Sequence, residues 1–206
     1  MQGRAARVFV NCPFDDDVRV FQAIVFAIHD PGFQARHALI DDGEVVHVQR
    51  IHAELKGSLY SIHDISQVEL VGTMQLPRFN MPFEAGIAYS MHAAGRPLHH
   101  MLLPEKEPYR HNASMSDAAG MDAQIHAGDP ALAIEEVRAF LRTKSDTGRP
   151  MPGGENIAKR YTLLEAKLPA AAKARKISLK EVKSWKYVND VQAIMATWIR
   201  DNPSPI

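Results

Sequence analysis

The chain has 206 residues, of which 46 % are hydrophobic and 23 % charged, and its 24 Lys/Arg balance 24 Asp/Glu. That composition excludes a disordered or collagen-like protein, and zero net charge argues against a general nucleic-acid binder, which carries excess positive charge. The single cysteine, Cys12, rules out an internal disulfide. No apolar run reaches the ~18 residues of a membrane span, and the opening residues lack the ~7–15-residue apolar core of a signal peptide, so a soluble cytoplasmic protein with no membrane partner is expected.

Val8-Phe9-Val10 reads as a first strand. Val18, Phe21, Val25 and Ile28 recur at helical spacing, and Pro31-Gly32 ends that helix. Phe33–His37 reads as a second strand, Val45–Gly57 as a second helix and Leu59–Ile65 as a third strand. Asn80-Met81-Pro82 opens a third helix through Phe83, Ile87 and Met91, and Pro97–Leu103 is a fourth strand. Gln124-Ile125-His126 reads as a short fifth strand. Asp129 then caps a helix whose first position is Pro130. The alternation of strand and helix predicts a parallel sheet covered by helices on both faces. In such sheets ligands lie beyond the carboxyl ends of the strands.

The charge is uneven. Residues 1–149 hold 14 basic and 19 acidic residues, a net of −5, and residues 150–206 carry the compensating +5. The break falls in a Gly/Pro-rich stretch around residues 147–154, so the expected division is an α/β domain over 1–146 and a helical segment over 155–206. Ile157, Tyr161, Leu164 and Leu168 share one helix, and Leu179 to Trp198 read as another. Helices of this kind need a partner surface, either the body or a second subunit, and a homodimer is one way to provide it.

Four strand ends carry polar groups. After the first strand come Asn11, Phe14 and Asp15. The aspartates at 15–17 suit a helix start, while Asn11 and Phe14 suit the sugar hydroxyls and flat base of a nucleotide. Arg36, after the second strand, fits either a phosphate or an ion pair with Asp41 and Asp42. The third strand ends in Ser61-Ile62-His63-Asp64-Ile65-Ser66. Polar residues are unexpected where parallel strands are buried on both faces, so Asp64 is satisfied by backbone donors with His63 or Ser66, or it faces a ligand. Arg78, Asn80 and Phe83 surround Glu84, which shares a helix side with Ala88 and Met91 rather than with solvent-facing residues. The scattered histidines give no metal-ligand spacing, and neither a GxGxxG after the first strand nor a GxxxxGK[ST] is present.

The Asn11-x-Pro13 strand end, the Ser61–Ser66 strand end and the Asn80-Met81-Pro82-Phe83-Glu84-Ala85-Gly86 helix start resemble an uncharacterised bacterial family. That family is similar to the TIR and nucleoside 2-deoxyribosyltransferase superfamily, and the resemblance covers about residues 7–142. It implies a flavodoxin-like three-layer sheet and cleavage of an N-glycosidic bond in a nucleoside or in NAD, in a bacterial signalling or defence setting. Carried over by position, the catalytic carboxylate falls on Glu84, with Asp64 helping to place the substrate. Two departures stand out: the approach to Glu84 is Arg78-Phe79-Asn80-Met81-Pro82, and the Ser-x-x-Trp pattern before the TIR glutamate is not visible.

The chemistry is coherent. Positive charge building on the ribose as the C1′–N bond breaks is stabilised by a fixed carboxylate, which can also attack C1′. A purine leaving group needs an acid, His63 or Asp64, whereas nicotinamide needs none. The expectation is a nucleotide N-glycosidase or transferase with Glu84 and Asp64 catalytic. Asn11, Phe14, Asp15, Arg36, Ser61, His63, Arg78 and Asn80 bind substrate, and no cofactor is required beyond NAD or a nucleotide as substrate. The alternative is a non-catalytic nucleotide sensor. Both readings expect Glu84 to line an open cleft beside Asn11 and Asp64.

Overall fold

The computed structural model describes residues 6–13, 18–38, 47–67, 70–71, 76–77, 79–94, 99–118, 120–145, 148 and 150–204. Strand β1 (Arg7–Asn11) lies at the centre of the sheet because Val8, Phe9 and Val10 bury on both faces, as parallel interior strands do. Helix α1 (Arg19–His29) returns to strand β2 (Gln34–Arg36) through a turn in which Gly32 takes φ +93°, a conformation that favours glycine. Helix α2 (His47–Lys56) leads to β3 (Tyr60–His63). A small antiparallel pair, β4 (Leu70–Val71) and β5 (Leu76–Pro77), precedes α3 (Asn80–Ala93) and β6 (His100–Leu102).

The four long strands are parallel in the order β2-β1-β3-β6, with Asn11 opposite His63. The last edge does not stop at β6. After Leu103 the chain continues as β7 (Pro104–Glu105), which pairs in parallel with β8 (Gln124–Ile125). The Ile65 N–H donates to the Pro104 carbonyl at 3.0 Å, so β7 also stays in line with the end of β3. The fifth strand read from Gln124-Ile125 is therefore present. Between β7 and β8 lie α4 (Arg110–Ser114) and a single 3₁₀ turn at Ser116–Ala118. Helix α5 (Pro130–Lys144) starts at Asp129, whose carboxylate accepts from the Ala131 N–H at 2.8 Å.

The result is a flavodoxin-like α/β fold. On one face Val8, Val10 and Ile62 pack against α1 and α5, and on the other Phe9 packs with Ile51, Leu55 and Ala88 of α2 and α3. The C-terminal helices form a further layer over α1 and α5. They are α6 (Gly154–Ala174), α7 (Leu179–Val182) and α8 (Val188–Asp201). Ile157, Leu164, Val191 and Ile194 belong to the same hydrophobic cluster as Phe26 and Ile134, so of the two partner surfaces open to these helices it is the body they cover. This explains why α1 is apolar without a break from Ala23 to Ile28, since residues 21–28 are buried between sheet and appendage.

The docking is locked by one buried ion pair. Arg160 donates to Asp30 Oδ1 from Nε at 2.9 Å and from Nη2 at 2.8 Å, and to the Asn202 carbonyl at 2.6 Å. Its guanidinium also lies 5.1 Å from the Trp198 ring centroid. The single helix expected over Leu179–Trp198 is corrected. Ser178 and Glu181 form a capping box that starts α7, and Ser184 then accepts from the Lys186 N–H to start a 3₁₀ turn at Trp185–Tyr187. Local capping thus divides the apolar stripe, and Leu179 stays half exposed. No helix among the described residues is long and apolar enough to cross a membrane.

Candidate functional site

The carboxyl ends of the strands carry a row of buried polar side chains: Asn11, His63, Asp64, Glu105 and, beyond β8, His126. They fall into three separate hydrogen-bond groups.

The first joins β1, β3 and α3. Asn11 and His63 are neighbours across the ladder, and Nδ2 of Asn11 lies 3.4 Å from Nδ1 of His63. The Asn11 side chain also hydrogen-bonds Glu84, which arrives from just past the first turn of α3 on the side that carries Met81 and Ala88. Glu84 is only 4 % exposed. Burial pushes its pKa from 4.5 up to about 7, and the Asn11 hydrogen bond opposes only part of that rise. His63 is fully buried, and burial, aided by His99, drives its pKa down to about 3. Its ring is therefore neutral, with the Nδ1 lone pair toward Asn11 and no hydrogen-bond partner for Nε2 among the described residues. Phe9, Asn11, Cys12, Phe21, Met81 and Glu84 line a cavity of about 10 Å³, which is room for roughly one water. The expected open cleft at Glu84 is thus corrected to an enclosed polar pocket: the short, largely apolar helix face of α3 closes onto β1. Glu84 does meet Asn11 there.

The second group settles how Asp64 is satisfied. Its Oδ1 accepts from the Ser66 N–H at 2.9 Å and from the Ser66 hydroxyl, and Oδ2 lies 3.5 Å from His126 Nε2. Ser66 Oγ is also 2.9 Å from His126 Nε2. These residue types suggest a nucleophilic triad, but the proton positions forbid it. Gly128, at φ +74°, aims its N–H at His126 Nδ1 at 3.0 Å, so the ring proton is on Nε2. His126 donates to Ser66 and cannot accept its proton, as a general base must. The group serves to satisfy the hydrogen bonds of a buried carboxylate.

The third group, Glu105 with His111, is bidentate. The His111 N–H meets Oε1 at 2.6 Å and Nδ1 meets Oε2 at 2.8 Å.

The remaining expected site residues lie elsewhere. Ser61 is fully buried and its hydroxyl pairs with His99 Nε2 at 3.0 Å, so its expected substrate contact is replaced by an internal one. Arg36 forms a two-point pair with Glu54 at 2.7 and 3.0 Å, which raises its pKa further and replaces the phosphate contact open to it. Asn80 is exposed at the start of α3. Phe14, Asp15, Arg78, Asp41 and Asp42 lie outside the described residues. His63 as a proton donor to a leaving base is also corrected, because its charged form is absent near neutral pH. Among the described residues no group of three or more His, Cys, Asp or Glu side chains could hold a metal ion.

Sequence reasoning missed the Glu105–His111 pair and the partnership of Asp64 with His126. Pro104-Glu105-Lys106-Glu107 reads as a solvent loop, and Glu105 is buried only because β7 prolongs the sheet beside β8. Compared with known proteins, the chain matches no family model and no curated sequence.

Proposed function

We propose that this protein binds a nucleotide beyond the carboxyl ends of β1 and β3 and cleaves its C1′–N bond, with Glu84 as the carboxylate that meets the developing ribosyl cation. One observation carries the reading: a carboxyl group is held by Asn11 at the ends of two central strands, and burial pushes its pKa to about 7. A desolvated carboxylate stabilises a nearby cation far better than a hydrated one, and an arriving positive charge favours release of its proton. Neutral His63 cannot protonate a departing base, and Asp64 is spent on Ser66 and His126. The chemistry therefore suits a base that leaves without a proton, the nicotinamide of NAD, better than a purine. Cleavage breaks the C1′–N bond, its electron pair goes to the pyridinium ring, and a water adds its hydroxyl to C1′ while its proton passes to the Glu84 carboxylate. Because the pocket holds about one water, it has to open to admit a ribose, around Met81 and Phe21.

The enclosure of Glu84 favours a second reading, a nucleotide sensor that binds and does not cleave. Incubation with NAD, with chromatography of the products and a thermal-shift titration in parallel, separates the two. Release of nicotinamide that is lost in Glu84→Gln, with binding retained, supports the enzyme. Stabilisation without product supports the sensor. The absence of both overturns nucleotide recognition, and full turnover in Glu84→Gln overturns the role of Glu84.

A further inference from the structure

Two helices of this fold are apolar on nearly every side, and only one is fully covered. The outer face of α1 lies beneath α6 and α8. The outer face of α3 shows Phe79, Phe83 and Tyr89 at 67, 60 and 49 % exposure, with nothing among the described residues over them. Beside this face a groove of about 710 Å³ runs between α3, the end of β6 and residues 115–121. Its walls are Phe83, Tyr89, Met101, Met115 and Met121. It is separate from the Glu84 pocket, which opens on the inner face of the same helix.

Three observations specify a ligand. The volume is that of a small-molecule site, roughly 300–1,000 Å³, and the lining is mostly apolar. Gly86 sits in mid-helix, where glycine weakens the helix relative to alanine. A Cβ at position 86 would meet no atom within 4 Å, so packing does not require the glycine, and its effect is to leave the groove floor open. The charged side chain among the described lining residues is Asp117, an exposed carboxylate in the same groove as the rings of Phe83 and Tyr89. Aromatic faces and a carboxylate both attract cations, while methionine adapts to flat apolar surfaces. We infer that the groove between α3 and residues 115–121 is a binding site for a small aromatic cation, its ring against Phe83 and Tyr89 over Gly86 and its ammonium toward Asp117.

The test uses three indoles that differ in charge: tryptamine, indole and indole-3-acetate. Each is titrated into the full chain while the amide NMR signals of residues 83–89 and 115–121 are followed. Tryptamine is expected to saturate, and to bind about tenfold or more tighter than indole-3-acetate, the discrimination one nearby charge gives. Gly86→Ala keeps the binding, Gly86→Leu fills the floor and abolishes it, and Asp117→Asn shrinks the preference for tryptamine over indole-3-acetate several-fold. Melting temperatures no lower than that of the parent chain exclude loss of fold in the variants. No saturable shift with tryptamine, or undiminished binding in Gly86→Leu, overturns the proposal. So does a dimer in sedimentation that Gly86→Leu dissociates, since the groove would then be the seat of a second copy.

Discussion

Replacing Glu84 by Gln should make the protein more stable in alkali and leave it unchanged in acid. The folded carboxyl holds its proton to about pH 7, while the unfolded one loses it near 4.5. Between those values the native state binds more protons, so stability falls as pH rises through that window and this contribution is flat above about pH 8. The gap of about 2.5 pH units, at about 1.36 kcal/mol each, sets a ceiling of about 3 kcal/mol. Relaxation and water penetration around the carboxyl bring the expected effect to about 1–2 kcal/mol. Gln has the shape of the protonated acid and can still hydrogen-bond Asn11, so the two proteins should unfold together in urea at about pH 3.5, below both pKa values. At pH 9 the variant should be the more stable by that amount. Coincident curves at both pH values, or a variant less stable at pH 9, would refute the placement of an ionisable group in this pocket.

Three further outcomes follow from the contacts. Arg160→Ala leaves Asp30 buried and unpaired and should cost about 3–5 kcal/mol in urea unfolding, whereas Asp30→Leu combined with Arg160→Met should recover most of it. Ser66→Ala should lower stability by about 1–3 kcal/mol, since it removes a donor to Asp64; any nucleotide cleavage should persist in it, and loss of turnover in a folded Ser66→Ala protein would restore Ser66 as a nucleophile. Asp129→Ala removes the cap on α5 and should cost about 1 kcal/mol by thermal unfolding.

Much of the fold was legible because its signals are local. The buried run at residues 8–10, the helical spacing of α1 and the Asp129-Pro130 cap each lie within one short window. The division of the last stripe was not legible: alternating apolar residues continue through Ser184 while the backbone changes direction at its cap. Glu84 could be read as unusual because it sits on the apolar side of its own helix. The fates of Arg36 and Ser61 could not, since their partners come from other elements, Glu54 on α2 and His99 before β6. Pairing of this kind is a property of topology, and one sequence does not encode which polar groups will meet across a sheet. The same reason hid the tautomer of His126, which depends on a backbone donor at Gly128.

The tilted contact of Trp185 with Phe21, with ring centroids 5.0 Å apart, has an optical use. Phe21 lines the Glu84 pocket, so the indole is one side chain removed from it. The chain has two tryptophans, and Trp198→Phe leaves Trp185 as the only indole emitter. Its fluorescence then becomes a built-in gauge of any rearrangement that admits a molecule to Glu84, readable in a stopped-flow cell without a label.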